Sequence, residues 1–401
     1  MMRSGARLLR PVLVALLLGS CAPSAISGPS NPPAGFLTLD THLDTPVHFS
    51  RAGWSFADRH DLATDLSQVD MPRMRDGGLS GGFFAIFTKQ GPLTSAGYVA
   101  ARDFALRRSK EIDDTVARFP EQIRPARRAD DAYRIQAAGK LIAFKSIENS
   151  YPLGEDLGLL GEFYRQGVRL AGPVHSLNNQ FADSSSDSPR WNGLSPLGRR
   201  WVAEMNRLGM VIDASHASDA SFDQMLALSK SPIILSHSGS RSLHDFPRNI
   251  DDARIHKLAA AGGAICFTTI YLSALRIGPE RAALFDKLDR IGELSPADQA
   301  DLTRRWRALD ASEPLWSSTF EDYMTALLHT IRVAGPDHVC FGADWDGGGG
   351  VAGMRDVTAL PAITARLRAT GYGDLDLARM LGGNVLRILR AAEDRAPRHP
   401  A

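Results

Sequence analysis

His42-Leu43-Asp44 places an imidazole and a carboxylate two residues apart. On an extended strand that spacing puts both on one face, because side chains alternate with period two. The pair suits a zinc-like divalent ion. Glu148 ends the apolar run LIAFKSIE, where a carboxylate without a partner is costly. Lys145, three residues earlier, points to the opposite face and is a poor partner. His216 closes MVIDASH and His237 closes PIILSHS, so two consecutive apolar runs end in Ser-His. His42, Asp44, Glu148, His216 and His237 make five donors, too many for one tetrahedral zinc that keeps a water. They suit two ions about 3.5–4 Å apart with a bridging carboxylate and hydroxide. Glu148 lies between the two groups in chain order and is the best bridge.

Eight short apolar runs read as strands: 37–44, 82–88, 141–148, 168–175, 210–216, 232–237, 263–269 and 338–346. Several are almost continuously apolar before a polar end, as in parallel strands buried on both faces. Amphipathic helical patterns fill most gaps, at 96–119, 155–166, 196–208, 218–228, 251–261, 320–334 and 374–391, and Ser195 is placed to cap the third. Eight strand–helix alternations fit a (β/α)8 barrel or an open doubly wound sheet. His42, Asp44, Glu148, His175, His216, His237 and Asp344 all sit at or just after strand ends. A closed barrel gathers them at one mouth and an open sheet spreads them along an edge, so the α/β barrel is the expected fold. The stretch of about 271–316 reads as an insertion able to cover the mouth. The barrel domain is expected over 37–391, with a tail at 392–401.

The chain has 401 residues, 46 Lys+Arg against 45 Asp+Glu, a net charge of +1, and 44% hydrophobic residues. That supports a packed core and excludes a disordered chain. With no basic excess, nucleic acid is not an expected partner. Arg3, Arg7 and Arg10 precede the short run Pro11–Leu18. Residues 1–20 therefore read as a signal peptide. Leu18-Gly19-Ser20-Cys21 resembles a lipobox, which makes Cys21 the lipidated first residue of a tether over 21–36. The expected location is exported and membrane-anchored by lipid only, facing the periplasm or the cell exterior. Cys266 and Cys340 lie in apolar runs and are expected as buried thiols, although a disulfide between them stays open. A homodimer is also left open.

Longer stretches carry a resemblance. DTHLDTPVHF at 40–49, GVRLAGPVHSLNNQFADSS at 167–185, GLSPLGRRWVAEMNRLGMVIDASHAS at 193–218, SPIILSHSGSRSLHDFPRNIDDARIHKLAAAGG at 231–263, HVCFGADWDG at 338–347 and LGGNVLRIL at 381–389 resemble the membrane (renal) dipeptidase family. The likeness runs from about Leu37 to Leu389. It implies a (β/α)8 barrel with two zinc ions per chain, one on His42 and Asp44, the other on His216 and His237, with Glu148 bridging. It also implies hydrolysis of dipeptides, L–D pairs among them, by a metal-bridging hydroxide. His175 would steady the oxyanion, Arg248 would hold the substrate carboxylate, and Asp344 would face the bridging water or the substrate amine and shuttle a proton. Read alone, His175 is equally a strand-end hydrogen bonder. Arg248 is equally a surface residue beside Asp245 or Asp251, and Asp344 a helix cap or a partner of Arg355. Thr41, Thr45, Asn149 and Val174 depart from the family pattern without removing a ligand. The alternatives are another binuclear amidohydrolase, such as a lactonase, deacylase or deaminase, or a non-catalytic lipid-anchored binding protein.

Overall fold

The computed structural model describes residues 35–396. The expected signal peptide, Cys21 and almost all of the tether lie outside the described residues. Nine parallel strands form one sheet: β1 (Leu39–Leu43), β2 (Gly81–Phe87), β3 (Ile123–Pro125), β4 (Leu141–Glu148), β5 (Val168–Ala171), β6 (Val211–Ile212), β7 (Ile234–Ser238), β8 (Ala264–Phe267) and β9 (Val339–Phe341). Their order is β6-β5-β4-β2-β1-β9-β8-β7, with the short β3 beside β4. A parallel bridge between Asp213 and Ile234 joins the two ends, so eight strands make a nearly closed barrel. Every residue of β4 is buried, which explains its unbroken apolar run.

Helices cover the outside. Ser195 caps the helix Pro196–Leu208 through the Gly198 amide, and Gly209 ends it in the left-handed conformation. That helix buries Trp201, Val202, Met205 and Leu208. The helical pattern at 374–391 is one unbroken run from Asp374 to Arg395 that widens into a π turn over Arg379–Gly383. There Gly382 meets the Leu37 backbone so closely that a Cβ would stand 2.6 Å from its carbonyl oxygen. Helices at Met71–Asp76, Ala129–Ala137 and Leu360–Ala369 were not anticipated. They run only six, nine and ten residues.

The segment between β8 and the helix Phe320–Ala334 folds into two helices, Pro279–Leu288 and Pro296–Ser312. Leu284, Leu288, Ile291 and Leu302 pack with Leu66 into a small core of their own. Arg51 joins this segment to the barrel through Gln299, and Arg307 through the Asp65 carbonyl.

The two internal cysteines correct an expectation. Cys266 and Cys340 are register partners on β8 and β9, with Cα atoms 4.0 Å apart, and form a disulfide rather than two thiols. Composition alone does not reveal register, so the pairing was not forced by sequence. Among the described residues no helix is long and apolar enough to cross a membrane.

Candidate functional site

Three strands end where the sequence placed chemistry. His42 is the fourth residue of β1, Glu148 the last of β4, and His237 the fourth of β7. Asp44 follows β1 directly, its amide bonded to the Trp345 carbonyl at 3.0 Å. His175, His216 and Asp344 lie beyond their strands, which are shorter than expected. His216 and Asp344 have φ of 66° and 64°, which turns the backbone inward after the ladder ends. Non-glycine residues rarely hold such angles, and they gather at functional sites.

All five expected donors meet. His42 Nε2 lies 3.3 Å from Asp44 Oδ2, 3.4 Å from Glu148 Oε2 and 3.7 Å from Asp344 Oδ1. His216 Nε2 lies 2.9 Å from Glu148 Oε1 and 2.9 Å from His237 Nε2. His237 Nε2 is 3.6 Å from the same Oε1. The two oxygens of Glu148 thus face different groups. Three overlapping sets could hold a metal ion: His42 with Asp44 and Glu148, Glu148 with His216 and His237, and His42 with His237 and Asp344. The Nε2 of His42, which faces Asp44 and Glu148, is buried without a hydrogen-bond partner, a state that imidazole avoids unless a cation uses the lone pair.

Neighbours hold these side chains in place. Asp40 accepts from the His42 amide at 2.9 Å and from the Ala343 amide at 3.2 Å. Asp213 accepts from the Ser215 and Ser236 amides, each at 2.9 Å, and from the Ser236 hydroxyl. That hydroxyl sits 2.7 Å from His237 Nδ1. Such outer contacts fix the ring a metal would use. The sequence reading missed Asp40 and Asp213. Their one signal is a carboxylate inside an apolar run. At Gly347 a Cβ would lie 2.1 Å from Asp44 Oδ2 and 2.5 Å from Asp344 Oδ1, so only glycine leaves room for the two acids.

Burial would lower the His42 imidazole, but Glu148 and Asp44 outweigh it and hold it well above its ordinary value. Burial would raise Glu148, yet His42, His175 and His216 hold it well below. Burial raises Asp344 well above the carboxylate range, and Asp44 and Glu148 add to that. His216 and His237 are pushed well down by burial, with Arg248 contributing to both. Burial also lowers His175, and Arg248 lowers it further.

His175 Nδ1 lies 3.0 Å from the Ser176 hydroxyl, the local hydrogen bond open to it as a strand-end residue. Lys145 pairs with Asp113, away from Glu148. Arg355 pairs with Asp310, not Asp344. Arg248 is 4% exposed; it reaches the His237 carbonyl at 3.3 Å and the Ser238 hydroxyl at 3.4 Å, and its Nε has no partner. His175 stands 3.6 Å from Glu148 Oε1 and edge-on to Phe87. Asp346 bonds Thr45 and the Gln68 amide. A cavity of about 1000 Å³ opens onto Asp44, Glu148, His175, His216 and Asp344. The rest of its apolar lining, which includes Phe104, Phe285 and Trp316, was not read from the sequence, because it joins segments remote along the chain.

Residues 34–401 match the family model for membrane dipeptidase, peptidase family M19. The chain is 28% identical over 364 residues to the dipeptidase tcpJ of Claviceps purpurea, covering 88% of this chain and 77% of that one. The crystal structure of the probable dipeptidase PvdM from Pseudomonas aeruginosa superposes with a TM-score of 0.76 at 31% identity, covering 90% and 96% of the two chains. The dipeptidase AC, a metallopeptidase of family M19, superposes at 0.70 with 25% identity, covering 89% and 98%. The nearly closed barrel, the buried histidines and carboxylates at its mouth and the match along almost the whole length agree, and the chain belongs to the membrane dipeptidase family as a metal-dependent dipeptidase.

Proposed function

We propose that this dipeptidase works with two zinc ions, His42 and Asp44 holding one, His216 and His237 the other, and Glu148 spanning both. The observation that carries this reading is the division of Glu148, with Oε2 toward His42 and Oε1 toward His216 and His237. The donor set fits divalent zinc, since imidazole nitrogen and carboxylate oxygen are its usual ligands. The unpartnered Nε2 of His42 also supports it. Bound zinc polarises a carbonyl and acidifies water.

The chain's own residues do the rest. His175, beside Glu148, offers its imidazole to the negative charge that develops on the substrate carbonyl oxygen. Asp344, beside His42 at the cavity, is placed to carry a proton at its carboxyl to the leaving amine. Arg248 offers its donors to the free carboxylate of the substrate. Two polar anchors and a hydrolytic centre select short peptides with free ends, L–D pairs included. The lipobox at Leu18–Cys21 supports an exported, lipid-anchored enzyme.

The test uses Arg248. Arg248→Lys keeps the charge and loses the planar fork. It should lower kcat/KM on free dipeptides about ten- to hundredfold, the worth of one charge-assisted bond. Dipeptide amides should be poor substrates from the start and lose little more. Equal cleavage of acid and amide by the unaltered enzyme removes Arg248 from this role.

A further inference from the structure

The cavity beside the metal ligands has two unlike ends. Asp44, Glu148, His175, His216 and Asp344 form one. The other is apolar: Ala100, Ala101 and Phe104 come from the helix Ser95–Arg118, and Leu275, Ala282 and Phe285 from the segment after β8. Its volume of about 1000 Å³ stands at the top of the range that holds drug-sized ligands, about 300–1000 Å³. A dipeptide of small residues leaves most of it in contact with water, which apolar surface disfavours. The apolar wall continues outward, since Leu177 and Ile277 line it and are 50% and 46% exposed. Of the charges that line it, Lys89 pairs with Asp286, Arg290 with Glu293, and the buried Arg108 with Glu111. Asp289, pushed up to about 6 chiefly by burial, is the remaining carboxyl on that wall.

Direction follows from Arg248. It is not on the cavity wall; Tyr271 is, and the guanidinium carbon of Arg248 lies 5.6 Å from the Tyr271 ring centre. A substrate with its carboxylate on Arg248 and its amide at the metal ligands therefore sends its amine-side residue into the chamber. We propose that the preferred substrates are dipeptides whose amine-side residue carries one large apolar side chain, aromatic or alkyl, seated between the helix Ser95–Arg118 and the segment after β8. This rests on the dipeptidase reading given above.

The test compares X-Ala dipeptides whose X side chain is a linear alkyl of one, four, six or eight carbons, with N-terminal Lys as a cationic control. On the metal-loaded enzyme, kcat/KM should climb about tenfold for each two methylenes, and the reversed Ala-X series should change less than about threefold. Lys-Ala should fall below the alkyl peptide of equal length. Analogues with CH2–NH in place of the amide, titrated by calorimetry, should tighten by the same factor per methylene without turnover. Ala282→Trp fills the chamber from an exposed helix position, where folding is not at stake. It should collapse the ratio between the eight-carbon and one-carbon substrates. A flat series in turnover and binding, equal gains in Ala-X, a preference for Lys, or a ratio surviving Ala282→Trp overturns the proposal. If analogues tighten with length while no dipeptide is cleaved, the chamber stands and the dipeptidase reading falls.

Discussion

The metal-ligand cluster and the chamber beside it share one mouth and are built on opposite principles. The cluster draws His42 and Asp44 from the end of β1, Glu148 from β4, His216 from just beyond β6 and His237 from β7, each set by the barrel to within a few ångströms. The chamber draws many apolar residues from one outer helix and one inter-strand segment, none of them placed by the ladder. Shifting a ligand by 1 Å destroys a donor set, while shifting a chamber wall by 1 Å changes its shape. The barrel therefore supplies the chemistry and its connections supply the choice of substrate.

Four changes sharpen that contrast or break it. The largest is Glu148→Gln. It should cost about a thousandfold in kcat/KM on every dipeptide alike, and should lower the metal content measured per chain. A loss that depended on substrate size would erase the distinction between the two regions. Gly347→Ala comes next. Its new Cβ would displace Asp44 or Asp344 and should cost about ten- to hundredfold, as changes around metal ligands do, again independent of side-chain length.

The third change leaves both regions and touches the floor beneath them. Cys266→Ala with Cys340→Ala opens a loop of 74 residues. Chain entropy puts the cost at about 4 kcal/mol of unfolding free energy in a denaturant titration. Activity of the folded fraction should hold for short and long substrates equally. The smallest effect is Asp289→Asn on the chamber wall. Burial pushes Asp289 up to about 6, above the ordinary aspartate value of 3.8, so between these values the folded state binds more protons than the unfolded one. The penalty is absent below about pH 4, grows to about pH 6 and is full above it. Asp289→Asn should therefore raise Tm by about 1–3 °C at pH 7.5 and leave it unchanged at pH 4 in a calorimetric scan.

The cluster was legible because each of its members is a polar residue closing an apolar run, an arrangement with a cost unless something binds it. Eight barrel strands were legible for a related reason, since burial on both faces leaves a nearly pure apolar string. Their ends were not, because His216 and Asp344 turn through positive φ, and only backbone geometry reveals that. The disulfide depends on register between β8 and β9. Asp213 looked like any acid near a strand, yet it aligns two serines behind His237. The chamber was hidden most fully, because Phe104 and Phe285 belong to separate amphipathic segments whose shared space appears only on folding.

The junction between β6 and β7 bears one more consequence. Elsewhere neighbouring strands share a ladder; here a single backbone bridge at Asp213 and Ile234 is reinforced by side chains, with Asp213 gripping the Ser236 amide and Ser215 accepting from the His237 amide. His216 and His237 stand on either side of that seam. A cation gripped by both is a clasp as well as a reagent, and losing it should loosen the cylinder along this line first. Amide exchange in β6 and β7 would then quicken ahead of β4, and the enzyme's durability would follow the metal supply around it.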